Sequence, residues 1–110
     1  MKNKNVYEIV FDYSTEDCTG IDTYIYSCRR KAIKKLKELI EAEKEFYKKE
    51  YSHIDENEFE IDTNIEDETA CEYWWNIQCK EDWYIHTNID FRIKEINKWN
   101  HLRHMLLYNH

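Results

Sequence analysis

The chain of 110 residues has no proline and a single glycine, Gly20. Few turns are therefore forced by these two residue types, and we expect long elements joined by Asn, Asp, Ser and Thr loops. No window approaches the roughly 18 apolar residues of a membrane span, and the amino terminus lacks the apolar run of a signal peptide. The length fits one domain over residues 1–110, and the absent apolar runs predict a location in the cytoplasm without membrane contact.

The four cysteines are expected to be free. A reducing cytoplasm disfavours disulfides, so Cys18, Cys28, Cys71 and Cys79 are interpreted as small apolar fillers.

Catalytic signatures are also missing. No Gly-rich phosphate loop, G-x-S-x-G turn or H-E-x-x-H sequence is present. Cys71 or Cys79 could pair with His86 as nucleophile and base, but inward-facing thiols are usually inert. His101 and His104 would share a helix face with no cysteine near them in sequence. We predict a non-enzyme with no catalytic residues, no metal site and no cofactor.

Hydrophobic periodicity predicts an α+β fold. Alternation with a period of two predicts strands over residues 6–13, 21–27, 58–66, 71–79 and 83–93. Gly20 could supply a positive φ before the second strand, and Ser27 is the expected N-cap of an amphipathic helix over residues 29–51. Helical spacing returns from about residue 97. The predicted architecture is an antiparallel sheet of four to five strands with one long helix and a short C-terminal helix.

Negative charge dominates the middle of the chain. The net charge is -7, and the stretch "DENEFEIDTNIEDE" lies within residues 50–79, which contain no Lys or Arg. In a strand, alternate carboxylates would form a ladder on one face, spaced by about 6.6 Å. Glu16 and Asp17 of the first loop could supplement it. The candidate partner-binding residues are Glu58, Glu60, Asp62, Glu66, Glu68, Glu72 and Trp74.

Two simpler interpretations of the charges remain open. The ladder could be a solvated strand face that protects an edge from aggregation, with some carboxylates neutralised by the basic first half of the helix. That basic half, "RRKAIKKLK", could bind phosphate or could simply face solvent.

Trp74 and Trp75 are adjacent, so in a strand they must point to opposite faces. The apolar residues of this segment alternate with Trp75. Trp74 is therefore expected to share the other face with Glu72 and Asn76, and with Tyr84 or His86 across the hairpin. It would be an exposed interface anchor, or it would be covered by the terminal helix.

The stretch "VYEIVFDYSTEDCTGIDTYIYSCRRKAIKKLKELIEAEKEFY" resembles small uncharacterised acidic α+β proteins of phages and mobile elements of A+T-rich bacteria. The resemblance covers about 40% of the chain. Proteins of this type include anti-CRISPR inhibitors, several of which imitate nucleic acid electrostatically. The resemblance implies the host cytoplasm as location and fixes no individual residue.

These features are consistent with two functions. The first is a non-enzymatic inhibitor whose acidic surface imitates nucleic acid and occupies the basic groove of a DNA- or RNA-binding effector, such as a CRISPR effector. Direct binding to nucleic acid is not expected, because an acidic surface repels it. The alternative is a small protein–protein interaction module or homo-oligomeric adaptor, with a homodimer as its simplest form, that uses the aromatic hairpin face.

Overall fold

The computed structural model describes residues 3–97, which form five strands and one long helix. The α+β class and the antiparallel sheet are confirmed. The predicted C-terminal helix lies outside the described residues. In chain order the elements are β1 Asn3–Ser14, β2 Thr19–Tyr26, α1 Arg29–Glu50, β3 Phe59–Asn64, β4 Glu72–Cys79 and β5 His86–Asn97, with a short 3-10 helix at Glu56–Glu58 before β3.

The strands form one antiparallel sheet in the order β2-β1-β5-β4-β3. The last strand, β5, lies in the centre, where it pairs with β1 on one side and β4 on the other. The edges are β2 and β3. Pairing between β1 and β5 joins the two ends of the described chain, so much of the sheet depends on contacts distant in sequence.

The regular register separates two faces. One face packs against α1, and we call it the helix face. It contains Ile9, Phe91, Tyr73 and Trp75, all at most 5% exposed. The opposite face, which we call the distal face, carries the even-numbered residues of β1, β3, β4 and β5 and the odd-numbered residues of β2.

Helix α1 is amphipathic, as predicted. Ala32, Leu36, Ile40 and Tyr47 lie on one stripe and are buried against the sheet. Its first turn contains Arg29, Arg30 and Lys31 and no acidic residue. Cations are unfavourable there, beside the positive end of the helix dipole. Its last turn contains Lys48 and Lys49, which suit the negative end.

Two details at the start of the chain differ from expectation. Cys28, not Ser27, is the N-cap of α1, because its carbonyl accepts the first helical hydrogen bond, from Ala32, at 3.1 Å. Gly20 has no positive φ and lies within β2, opposite Tyr13. A Cβ at Gly20 would collide with the Tyr13 ring. The missing side chain at Gly20 therefore makes room for an aromatic ring and does not serve a turn.

The connection between β4 and β5 is longer than predicted. The Ile85 N–H donates to the Asp82 carbonyl, and the Cys79 N–H donates to the Ile85 carbonyl. The turn therefore includes Trp83, the first residue of the predicted strand over residues 83–93, and its side chain is 73% exposed.

The prediction of four apolar cysteine fillers is wrong for three of them. Cys79 is buried, but Cys18, Cys28 and Cys71 are exposed. These three lie in loops or at element ends, where the alternation of a strand no longer determines burial. All four thiols are free, as expected.

Within residues 3–97 no helix is both long and apolar enough to cross a membrane.

Candidate functional site: an acidic sheet edge

The core of the predicted ladder is present. Glu60 and Asp62 lie on β3, an edge strand, and both are exposed on the distal face. Their backbones pair with Gln78 and Asn76 of β4, neither of which carries charge. Alternate residues on a strand are about 6.6 Å apart, so the two carboxylates stand in a row at the sheet margin.

Glu58 does not continue this row. It belongs to the 3-10 helix before β3 and is half-buried. Its N–H donates to the Asp55 carbonyl, and its own carbonyl accepts from the Lys80 N–H at 2.7 Å. The strand begins only at Phe59, so Glu58 is not part of the ladder.

Glu66 and Glu68 are not part of the ladder either, because β3 ends at Asn64. They line a cavity of about 390 Å³ together with Arg29 and Lys37 of α1. Asp67 organises the loop between them, since its carboxylate accepts hydrogen bonds from the N–H and hydroxyl of Thr69. Glu66 and Glu68 therefore lie beside cations of α1. This agrees with the interpretation that the basic first half of the helix neutralises some of the carboxylates.

Glu72 rejoins Glu60 and Asp62 on the distal face. It is exposed at the start of β4, and its cross-strand neighbour is Arg92 of β5. Among the described residues no ion pair involves Glu60, Asp62 or Glu72.

The distal face carries three further carboxylates, Glu8, Asp12 and Asp90, that the sequence analysis did not name as candidate partner-binding residues. The charged residues of this face are the acids Glu8, Asp12, Glu60, Asp62, Glu72 and Asp90 and the cations Lys4, Arg92 and Lys94. Glu8 forms an ion pair with Lys94 at 3.2 Å. Burial raises the pKa of Asp90, and the nearby Asp12 and Glu72 add to the rise while Arg92 opposes it. The period-two alternation of the last strand could have identified Asp90.

Trp74 lies on the distal face, as expected from its adjacency to buried Trp75. His86 of β5 shares this face across the hairpin, whereas Tyr84 lies in the turn, and the direct cross-strand neighbour of Trp74 is Asp90. Trp74 is half-buried, and its Nε1 is buried without a hydrogen-bond partner in the described part of the chain. It borders the acidic residues as a partly covered ring rather than a fully exposed anchor.

The residues considered for catalysis are not brought together. Cys79 faces the helix, whereas His86 is on the distal face, where its Nδ1 lies 3.0 Å from the Trp83 carbonyl. Cys71 precedes β4, at the other end of the hairpin. Within residues 3–97 no three His, Cys, Asp or Glu side chains are placed to hold a metal ion. His101 and His104 lie outside the described residues.

Comparison with protein-family models, curated proteins and solved structures finds no match to this chain. The function must therefore be argued from the chemistry of its surfaces.

Proposed function

We propose that the chain is a non-enzymatic inhibitor acting in the cytoplasm. It docks an acidic sheet edge, defined by Glu60, Asp62 and Glu72, onto the basic nucleic-acid-binding groove of a partner protein. The observation that carries the proposal is that these three carboxylates are exposed and, within the described residues, without an ion-pair partner.

The backbone supports this role. Side chains on a paired strand point in fixed directions, so little ordering is needed when they meet Arg or Lys. Charge-assisted hydrogen bonds to guanidinium groups are among the stronger polar contacts. A row spaced by about 6.6 Å offers roughly half the charge density of a DNA strand, which has one phosphate per about 3.4 Å of axis. Glu72 on the next strand adds charge beside this row.

The rest of the molecule favours a directed approach to a partner. The outer side of α1 presents Arg30, Lys31, Lys34 and Lys37 to solvent on the other side of the sheet. A basic helix on one side and an acidic edge on the other would orient the chain in the field of a cationic groove and accelerate encounter.

The test is competition between this protein and DNA for a basic effector at low salt. CRISPR effectors are the first to examine, because of the resemblance of the first half of the chain to phage proteins. We expect Glu60→Gln with Asp62→Asn to weaken competition by about tenfold or more. The matched control, Glu41→Gln with Glu45→Gln on the exposed side of α1, removes the same formal charge and should change competition by less than about twofold. Equal loss in both variants would show a net-charge effect and contradict a docking edge.

A second candidate function rests on the exposed aromatic pair at the β4–β5 turn. Trp83 is 73% and Tyr84 39% exposed, and their rings meet edge to face with centroids 6.4 Å apart. Exposed Trp and Tyr are common interface anchors, so this hairpin tip could join two copies of the chain or an adaptor partner. Light scattering across a concentration series tests it: a dimer that Trp83→Ala dissociates, and that Glu60→Gln with Asp62→Asn leaves intact, would favour this alternative.

A further inference from the structure

A second cavity, of about 520 Å³, lies on the helix side between the first loop and the C-terminal half of α1. We call it the acid–aromatic cavity. Four aromatic rings line it, from Phe11, Tyr13, Phe46 and Tyr51. Its volume is within the range of small-ligand sites, which is about 300–1,000 Å³.

Carboxylates dominate the charge of this cavity, and His53 is the one basic side chain in its lining. Its acidic lining residues are Glu16, Asp17, Asp22, Glu43 and Glu50, and no Lys or Arg lines it. This differs from the cavity at Glu66 and Glu68, where Arg29 and Lys37 offset the carboxylates. None of the five acids takes part in an ion pair within residues 3–97.

Glu43 is the most informative of these acids. It is half-buried, and its Oε2 accepts a hydrogen bond of 2.8 Å from the Thr87 hydroxyl, which is a neutral partner. A partly buried carboxylate is normally stabilised by a cation, and the described residues supply none. A cationic ligand in the cavity would provide the missing charge.

The arrangement of the carboxylates selects the kind of cation. They come from the first loop, β2 and α1, where Glu43 and Glu50 are seven residues apart, about 10.5 Å along the helix axis. Among the described residues, no three of them converge closely enough to hold a metal ion. The aromatic rings suit methylene groups and the faces of organic cations. Separated negative charges in a cavity that also has aromatic walls match several ammonium groups spaced along an aliphatic chain.

We propose that the acid–aromatic cavity binds a flexible alkylammonium ligand of the polyamine class. Glu43 and Glu50 of α1 would each accept from one ammonium group, and Glu16 and Asp17 of the first loop from another. The rings of Phe46 and Tyr51 would pack against the methylenes. This site goes beyond the proposed inhibitor function and uses none of the residues of the acidic edge.

The direct experiment is a calorimetric titration with spermidine at low salt. We expect saturable binding with a stoichiometry of one and a dissociation constant below about 1 mM. Glu43→Gln with Glu50→Gln should weaken binding by about tenfold, whereas Glu60→Gln with Asp62→Asn, which removes the same charge from the sheet edge, should change it by less than about twofold. Glutamine at position 43 can still accept from Thr87, and circular dichroism would verify folding of each variant.

The exposed cysteines locate the ligand without substitutions. Cys18 lines the cavity, whereas Cys28 and Cys71 do not. Spermidine should slow alkylation of Cys18, measured by peptide mass spectrometry, and leave the other two thiols unchanged. Equal protection of all three thiols, or absence of binding at about 1 mM, would overturn the proposal.

A lysine side chain of a protein partner has the same chemistry as a polyamine. A lysine-rich peptide is therefore titrated in parallel. Binding of the peptide alone, with the same sensitivity at Glu43 and Glu50, would assign the cavity to a protein partner and refute the polyamine. Competition between DNA and the protein at the effector groove is measured on the same variants, so that failure of the cavity and failure of the inhibitor function are distinguishable.

Discussion

The Thr87 hydroxyl, buried in the centre of the sheet, donates a 2.8 Å hydrogen bond to Oε2 of Glu43 on α1. The Tyr47 hydroxyl lies 3.0 Å from the same Thr87 oxygen. Since the Thr87 proton is directed to the carboxylate, Tyr47 donates to Thr87, and the three groups form a chain from Tyr47 to Thr87 to Glu43. Burial raises the pKa of Tyr47 to about 12, so the phenol remains a donor at neutral pH.

Glu43→Gln should stabilise the free protein at neutral pH. Burial raises the pKa of Glu43, although the Thr87 hydrogen bond opposes the rise. The folded state then binds a proton more tightly than the unfolded state, so stability falls as pH rises from the ordinary glutamate pKa through the raised one. Glutamine removes this penalty, and we expect a gain of up to about 1 kcal/mol after solvent screening.

Urea unfolding at several pH values measures this gain. It should be present at pH 7 and become small near pH 4, where Glu43 is mostly protonated in both states. Glu41→Gln, on the exposed side of the same helix, is the control and should show no comparable gain. A gain at pH 4 equal to that at pH 7 would contradict the assigned pKa direction.

Tyr73→Phe should destabilise the protein by about 0.5–1.5 kcal/mol. The Tyr73 hydroxyl accepts a 2.9 Å hydrogen bond from Arg29 Nη2, and the Arg29 guanidinium carbon lies 5.8 Å from the centre of the Tyr73 ring. This contact fixes a cation that would otherwise be unfavourable in the first turn of α1.

A double-mutant cycle with Arg29→Met measures the coupling between these two side chains. Tyr73→Phe should cost clearly less in the background that already carries Arg29→Met than in the unmodified chain. An unchanged cost in urea unfolding would mean that the hydrogen bond contributes nothing to stability.

Cys28 should react faster than the exposed Cys71 at neutral pH. The pKa of its thiol is lowered, chiefly by the backbone N–H of Lys31 and further by the N–H of Arg30 and both positive side chains, while burial acts in the opposite direction. Alkylation rates resolved by mass spectrometry should place Cys28 ahead of exposed Cys71, and the reaction of Cys28 should begin at lower pH. Lys31→Gln should reduce the difference in alkylation rate between Cys28 and Cys71. Equal rates at these two cysteines in the unmodified chain would refute the prediction.

The loss of stability on replacing a tryptophan should follow the burial of its side chain. Trp75 is 2% exposed within the core, whereas Trp83 is 73% exposed. We expect Trp75→Ala to cost about 3–5 kcal/mol and Trp83→Ala less than about 0.5 kcal/mol. Chemical denaturation of both variants tests this, and a large loss at Trp83 would require a contact that the described residues do not show.

Much of the fold was predictable because local periodicity reports burial. The alternation of Ile9 and Phe11 with Glu8 and Asp12 identified β1. The spacing of Leu36 and Ile40 identified α1. Adjacent Trp74 and Trp75 had to occupy opposite faces in a strand, and they do.

The candidate site was predicted only in part, for a physical reason. Glu60 and Asp62 lie within a strand, where the pleat determines their direction, whereas Glu66 and Glu68 lie beyond its end, where the loop returns toward α1. The alternating pattern of the sequence continues past the point at which backbone pairing ends.

The sequence by itself determined the elements, their buried sides and the excess of negative charge, since each depends on residue spacing and side-chain chemistry. The tertiary structure decided which charges meet. The central placement of β5 brings Asp90 and Arg92 between β1 and β4, and the packing of α1 brings Glu43 to Thr87 and to the acids of the first loop. Such encounters depend on strand order and helix position, which are set by long-range packing and leave no local period in the chain.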